Sequence, residues 1–161
     1  MISLREAHTQ DFEGIWKIIE PVIKKGDTYA FEPGTTKGYI RDYWMNADKK
    51  TYVALEGEEI VGSYLLKENQ PGLGSHVCNA AFVVATEKRG KGIGKQMGEH
   101  ALREAKRSGY KAMQFNFVIS TNTVAIELWK SLGFKIIGQV PEGFRHQQKG
   151  MVDAFIMHRF L

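Results

Sequence analysis

The sequence predicts a mixed α/β fold, a sheet with helices on its faces, and three observations carry that reading. Strand-like and helix-like segments follow one another in the order β-α-α-β-β-β-α-β-α-β-β. The strongest strand runs directly into a glycine-rich turn that opens a helix. The chain has 161 residues, 43% hydrophobic and 25% charged, enough for one buried core. No internal repeat, linker or low-complexity stretch divides residues 1–161, so a single domain is expected.

Met1 to Ala7 reads as a short opening strand. From Asp11 to Lys24, Phe12, Ile15, Trp16, Ile18, Ile19 and Ile23 recur at close to helical spacing, which predicts a first helix. Turn formers and aromatics mix from Gly26 to Gly34, breaking the period, and Thr35 to Asn46 resumes as a short helix with Ile40, Tyr43 and Trp44. Thr51 to Leu55, a turn at Gly57, and Ile60 to Leu66 read as a hairpin. After a turn at Gly72 to Gly74, Ser75 to Ala85 is the best strand in the chain. A helix from about Gly92 to Ser108 follows, with Ile93, Met97, Ala101, Leu102 and Ala105 on one face and Gly109 as its stop. Lys111 to Val118 is a strand, Asn122 to Leu132 a helix ending at Gly133, and Phe134 to Val140 and Met151 to Leu161 are the closing strands.

Composition narrows the function classes. One cysteine cannot form a disulfide framework or a structural zinc site, so no metal is expected and a reducing, cytoplasmic setting is. No apolar run approaches the roughly 18 residues of a membrane span, and the N-terminus lacks a signal-peptide pattern; no membrane partner is expected. The net charge of +4 is concentrated: between Thr86 and Lys111 eight cations face three anions, an excess of five that leaves the remainder slightly acidic. Gly90, Gly92, Gly94 and Gly98 fall in the same segment. A uniformly basic surface would suggest nucleic acid; one cationic, glycine-rich spot suits a compact anion, and no nucleic-acid partner is expected.

Val83 to Gly94 has the form of strand, tight turn and helix start. Glycines there allow positive φ and close backbone approach, and the first N–H groups of a helix lack intrahelical partners, so such an end binds phosphate with help from Arg89, Lys91 and Lys95. A P-loop fails on spacing, since Arg89 stands where its first glycine belongs. A dinucleotide fingerprint fails because Lys95 and Met97 stand where its last glycine would fall. Taken alone, the segment also fits an ordinary β-to-α turn with solvated lysines.

Arg89-x-x-Gly92-x-Gly94 after a strand resembles the R/Q-x-x-G-x-G/A motif of the GCN5-related N-acetyltransferases. Asn122-x-x-Ala125-x-x-Leu128-Trp129-x-x-x-Gly133-Phe134, about thirty residues downstream, is similar to the family's N-x-x-A-x-x-L-Y-x-x-x-G-F helix. The likeness covers essentially the whole chain. It implies a mostly antiparallel sheet splayed between strands 4 and 5, acetyl-coenzyme A as co-substrate, and a homodimer. It further implies that the backbone of Phe82 and Val84 binds the pantetheine arm as an added strand would. The N–H groups of Arg89, Gly90, Lys91, Gly92, Ile93, Gly94 and Lys95 would bind the pyrophosphate. Asn122 would contact the arm, a role compatible with an ordinary helix cap.

Acetyl transfer to an amine needs a neutral nucleophile, a stabilised oxyanion and a proton for the departing thiolate. The sequence departs from the resemblance here. Trp129 replaces the tyrosine that usually supplies the proton, and the position of a glutamate base found in some members is Cys78. An acyl-cysteine route through Cys78 and a proton relay through His76 are conceivable, against the plainer readings of a core cysteine and a surface histidine. Asn79, Asn116 and Asn122 are the suggestive set. Amides orient a carboxylate or amine and stabilise an oxyanion without changing charge, so Asn79 and Asn116 are the catalytic candidates, with backbone satisfaction as the alternative. This set, with Trp129, is similar to a branch that acetylates proline analogues such as azetidine-2-carboxylate.

The expected acceptor is therefore a small amine, an amino or imino acid. Tyr29, Phe31, Glu32 and Asn79 would bind it, with Arg145 closing over it from a Phe144-Arg145-His146 loop. Two other readings stay open: acetylation of a protein or peptide, which needs an open groove, and a non-catalytic acyl-coenzyme A sensor, since both usual catalytic side chains are missing.

Overall fold

A computed structural model describes residues 1–161. The elements are β1 (Ile2–Glu6), α1 (Phe12–Lys25), α2 (Lys37–Met45), β2 (Lys50–Glu56), β3 (Glu59–Glu68), β4 (Val77–Val84), α3 (Ile93–Arg107), β5 (Ala112–Ile119), α4 (Thr123–Ser131), β6 (Lys135–His146) and β7 (Gly150–Phe160), in the order the sequence predicts. One boundary differs in a way that matters. β6 continues past Val140, so Phe144, Arg145 and His146 are paired residues of a strand, not a loop, in register with Val152, Met151 and Gly150. The tight turn beyond them is closed by the His146 ring, whose Nδ1 accepts from the N–H groups of Gln148 and Lys149, both at 3.1 Å.

The seven strands form one sheet in the order β1-β2-β3-β4-β5-β7-β6, antiparallel except for β4 beside β5. That one parallel pair is short. Val77 pairs with Ala112 and Cys78 with Met113, and the ladder stops there. Beyond it β5 carries an irregularity between Phe115 and Val118, which bends it toward β7 and opens a fork between β4 and β5.

Side-chain alternation along β4 assigns the two faces. Cys78 and Ala80, followed by Phe82 and Val84, pack with α3 and α4; Ala81, Val83 and Ala85 pack with α1 and α2. The second helical pair is docked by Trp44, which is fully buried and donates from Nε1 to Ser63 Oγ at 2.9 Å, while Thr51 donates to the Trp44 carbonyl at 2.6 Å. Burying one such aromatic contributes about 3 kcal/mol. It also anchors the α1–α2 connection, because Tyr29 sits edge-on to Trp44 at 6.4 Å and Phe31 edge-on to Tyr43 at 5.1 Å. On the other face α3 and α4 come close at Gly98, where an added Cβ would lie 2.5 Å from Leu132 Cδ1 and 3.3 Å from Trp129 Cζ3.

Candidate active site

Between β4 and α3 the chain turns through Gly90 and Gly92, with φ of 76° and 78°. A Cβ on either would meet no atom within 4 Å, so backbone conformation, not space, requires glycine there. The N–H groups from Gly90 through Lys95 donate to no other backbone group; the first bond of the helix is Gln96 N–H to the Gly92 carbonyl at 3.1 Å. These orphan donors stand at the positive end of a 15-residue helix. They border a cavity of about 850 Å³ whose wall includes Arg89, Lys95 and Lys149, none of them in an ion pair. Unpartnered donors, free cations and this volume fit an elongated ligand carrying a pyrophosphate. Lys88 is different: it binds Glu56 and lies 3.4 Å from Glu59, which spends its charge on the β2–β3 hairpin.

The cavity continues into the fork. Ala85 N–H bonds to Val61 and the Val77 carbonyl accepts from Asn69, so odd-numbered residues of β4 direct their backbone at β3. The backbone groups of Ala80, Phe82 and Val84 therefore face the gap, as expected for an edge that takes an added strand. Tyr29 reaches this edge, and its hydroxyl donates to the Phe82 carbonyl. Burial pushes that phenol well above its ordinary range, so it stays protonated. Asn122 caps α4, accepting from Ala125 N–H at 3.3 Å, and lines the cavity as well. Trp129 is packed between Phe82 at 4.8 Å and Phe115 at 4.6 Å, forming an apolar wall where a tyrosine would have offered a hydroxyl.

A second cavity of about 330 Å³ adjoins the first. The two share Thr28, Tyr29, Phe82, Asn122, Ala125 and Trp129, so they meet at the fork. Phe31, Asn79 and Asn116 line this smaller space, as do Tyr43 and Lys67. Asn79 donates from Nδ2 to the Gln114 carbonyl at 2.9 Å, replacing the ladder bond lost where the strands part; its Oδ1 makes no bond within the protein. Asn116 is more fully engaged, donating to Asn69 Oδ1 at 2.7 Å and accepting from Gln114 Nε2 at 3.0 Å.

Other expected participants lie elsewhere. Glu32 is exposed and uses its carbonyl to accept from Thr35; Arg145 is exposed on β6; Lys91 is exposed beside the turn; none of the three lines either cavity. Arg145 fails as a closing residue because strand pairing fixes it outside. Cys78 is fully buried in the core, and burial pushes its thiol up to about 12, so no thiolate is available for an acyl-cysteine. His76 is exposed before β4 begins and lines neither cavity. No group of three or more His, Cys, Asp or Glu side chains is placed to hold a metal.

Lys67 and Tyr43 are the cavity residues that sequence reasoning missed, together with Asn69, which lines neither cavity but holds Asn116. Lys67 stands directly across from Asn79 in the β3–β4 register, so only the pairing of those strands could have revealed it. Tyr43 shares the apolar side of the second helix with Ile40 and Trp44, so helical spacing alone does not set it apart from the core.

Comparison with known proteins adds to this geometry. Residues 4–134 match the model of the acetyltransferase (GNAT) family. N-acetyltransferase aca1 of Schizosaccharomyces pombe is 31% identical, over 83% of this chain and 72% of that protein. A GCN5-related N-acetyltransferase from Kribbella flavida superposes with a TM-score of 0.95 at 39% identity, covering 99% of this chain and 98% of that one. A phosphinothricin acetyltransferase from Sinorhizobium meliloti, solved with acetyl-coenzyme A, shares the fold with a TM-score of 0.88 at 19% identity, covering 99% and 88%.

Proposed function

The chain belongs to the acetyltransferase (GNAT) family, whose acetyl donor is acetyl-coenzyme A, and from that premise we propose that its acceptor is the amine of a small amino or imino acid. The observation that carries the proposal is the 330 Å³ cavity that meets the donor cavity at the fork. Its aromatic wall is held by tilted packing of Tyr29 on Phe31 and edge-on packing of Phe31 on Tyr43, and its volume suits a compact molecule better than a length of peptide. Proline analogues are the leading candidates, because a small ring with one carboxylate matches a space of this size and polarity.

In this reading the larger cavity holds the donor. Gly90 to Lys95 offer N–H groups to the pyrophosphate with Arg89 and Lys95 beside it, and Phe82 and Val84 align the arm along β4. The neutral amine forms the N–C bond as the C–S bond breaks; nitrogen loses one proton and sulfur takes one. No carboxylate lines the acceptor cavity, so the amine's proton passes to water. The proton for sulfur has a candidate source in Tyr29, whose hydroxyl stands where the cavities meet and would turn from the Phe82 carbonyl to the departing sulfur. The Phe82 carbonyl has two lone pairs, so it can serve Tyr29 and the arm together.

Coenzyme A release measured with acetyl-coenzyme A and a panel of imino acids, amino acids, polyamines and peptides tests the proposal. Turnover of azetidine-2-carboxylate, proline or a similar compact amino acid is expected. Turnover confined to peptides would overturn it.

A further inference from the structure

The acceptor cavity has an electrostatic asymmetry. Of the 18 residues that line it one is charged, Lys67. Its ammonium sits over the Tyr43 ring, 5.3 Å from the centroid, and the side chain is half-buried. No carboxylate pairs with it. The neighbouring Glu68 is one residue further along β3 and therefore on the opposite face of the sheet. Lys49, which lies over the same ring at 5.1 Å, already has Asp48 at 3.2 Å. The amides that might otherwise hold an anion are largely committed: Asn79 Nδ2 to Gln114 and Asn116 Nδ2 to Asn69.

Resting on the small-acceptor reading above, we propose that Lys67 is the specificity residue of the acceptor cavity and that it pairs with a carboxylate of the acceptor. A cation without a counter-ion in a mostly apolar space gains most from an anion brought in by the ligand. Lys67 projects from β3 opposite Asn79, at the first rung past the end of the β4–β5 ladder, while the junction with the donor cavity lies toward Phe82 and Tyr29. A short acceptor bound by its carboxylate at Lys67 can direct its amine toward that junction. The same asymmetry disfavours polyamines and other polycations, which would bring a second positive charge beside Lys67 with no carboxylate to receive it.

Matched acceptor pairs test this: proline with prolinamide, and azetidine-2-carboxylate with its amide, assayed on the full chain and on Lys67→Met, Lys67→Arg and Lys67→Glu. The unmodified protein is expected to favour the acid over the amide by about 10²-fold in kcat/KM. Lys67→Met should abolish that preference mainly by raising KM for the acid, with a far smaller loss on the amide. Lys67→Arg should retain the preference and Lys67→Glu should invert it, all with unaltered KM for acetyl-coenzyme A. Equal use of acid and amide by the unmodified protein, or equal losses on both in Lys67→Met, would overturn the assignment of Lys67 while leaving a small-amine acetyltransferase. Turnover of peptides alone, or of no member of the panel, would instead overturn the small-acceptor reading and this proposal together.

Discussion

Tyr29 holds two relationships that no other phenol in the chain combines: its ring is part of the wall of both cavities, and its hydroxyl bonds the backbone edge along which the donor's arm would lie. Trp129, at the position where the family motif has tyrosine, is locked among Phe82, Phe115 and Phe134 and offers no exchangeable hydroxyl. In the proposed reaction the candidate proton donor stands on the facing wall, where the α1–α2 connection places the Tyr29 hydroxyl. Tyr29→Phe keeps the ring and its contact with Trp44 while removing the hydroxyl. Loss of that one hydrogen bond should cost about 1 kcal/mol of stability. If the hydroxyl also protonates the leaving thiolate, kcat should fall by about 10²-fold, with KM for acetyl-coenzyme A nearly unchanged. Steady-state kinetics beside a melting curve separates the two effects, and an unchanged kcat would return Tyr29 to a packing role.

Helix α3 shows how far an element can be read from sequence and where such reading stops. Its start was legible because a strand, a glycine turn and a helix period are local signals, and Gly90 and Gly92 do adopt the positive φ that the pattern requires. Gly98 falls in the same segment but has a different role, since its hydrogen takes the place of a side chain against Leu132 and Trp129 of the α4 region. The two kinds of glycine should separate experimentally. Gly92→Ala strains a left-handed residue among the orphan donors and should raise KM for acetyl-coenzyme A. Gly98→Leu overpacks the α3–α4 contact and should cost about 1–3 kcal/mol in stability, with little change in that KM at temperatures where the protein is folded. Equal effects on KM would show that both act on the donor site. What remained illegible depends on non-local pairing. Lys67 enters the site only through the β3–β4 register. Asn116 becomes a member of a side-chain network only once Asn69 is brought beside it, and Arg145 leaves the site only because β6 keeps pairing beyond Val140.

At the scale of the whole molecule, each face of the sheet is tied down by a titratable group whose charge state folding has selected. On the α3 side, Tyr64 and the His100 ring nitrogen Nδ1 are 2.6 Å apart, and Tyr64 stacks on Tyr52 at 4.8 Å. Burial holds the His100 imidazole below its ordinary value. On the α1 side, the Arg5 guanidinium grips both carboxylate oxygens of Asp11 at 2.7 and 2.9 Å, and the His8 N–H adds a third bond at 2.6 Å, holding that carboxyl below its usual range. Both shifts are downward, so in both cases the unfolded chain binds the proton more readily, and stability rises with pH across each window. The His100 contribution is complete above the unfolded imidazole value of about 6.5 and is lost as pH falls through its lower folded value. The Asp11 contribution is complete above about 3.9 and is lost only in stronger acid. Melting temperature followed from pH 8 downward should therefore decline in two stages. His100→Gln, which cannot titrate, should flatten the first stage and leave the second in place; a first stage of undiminished slope in that variant would remove His100 as its cause.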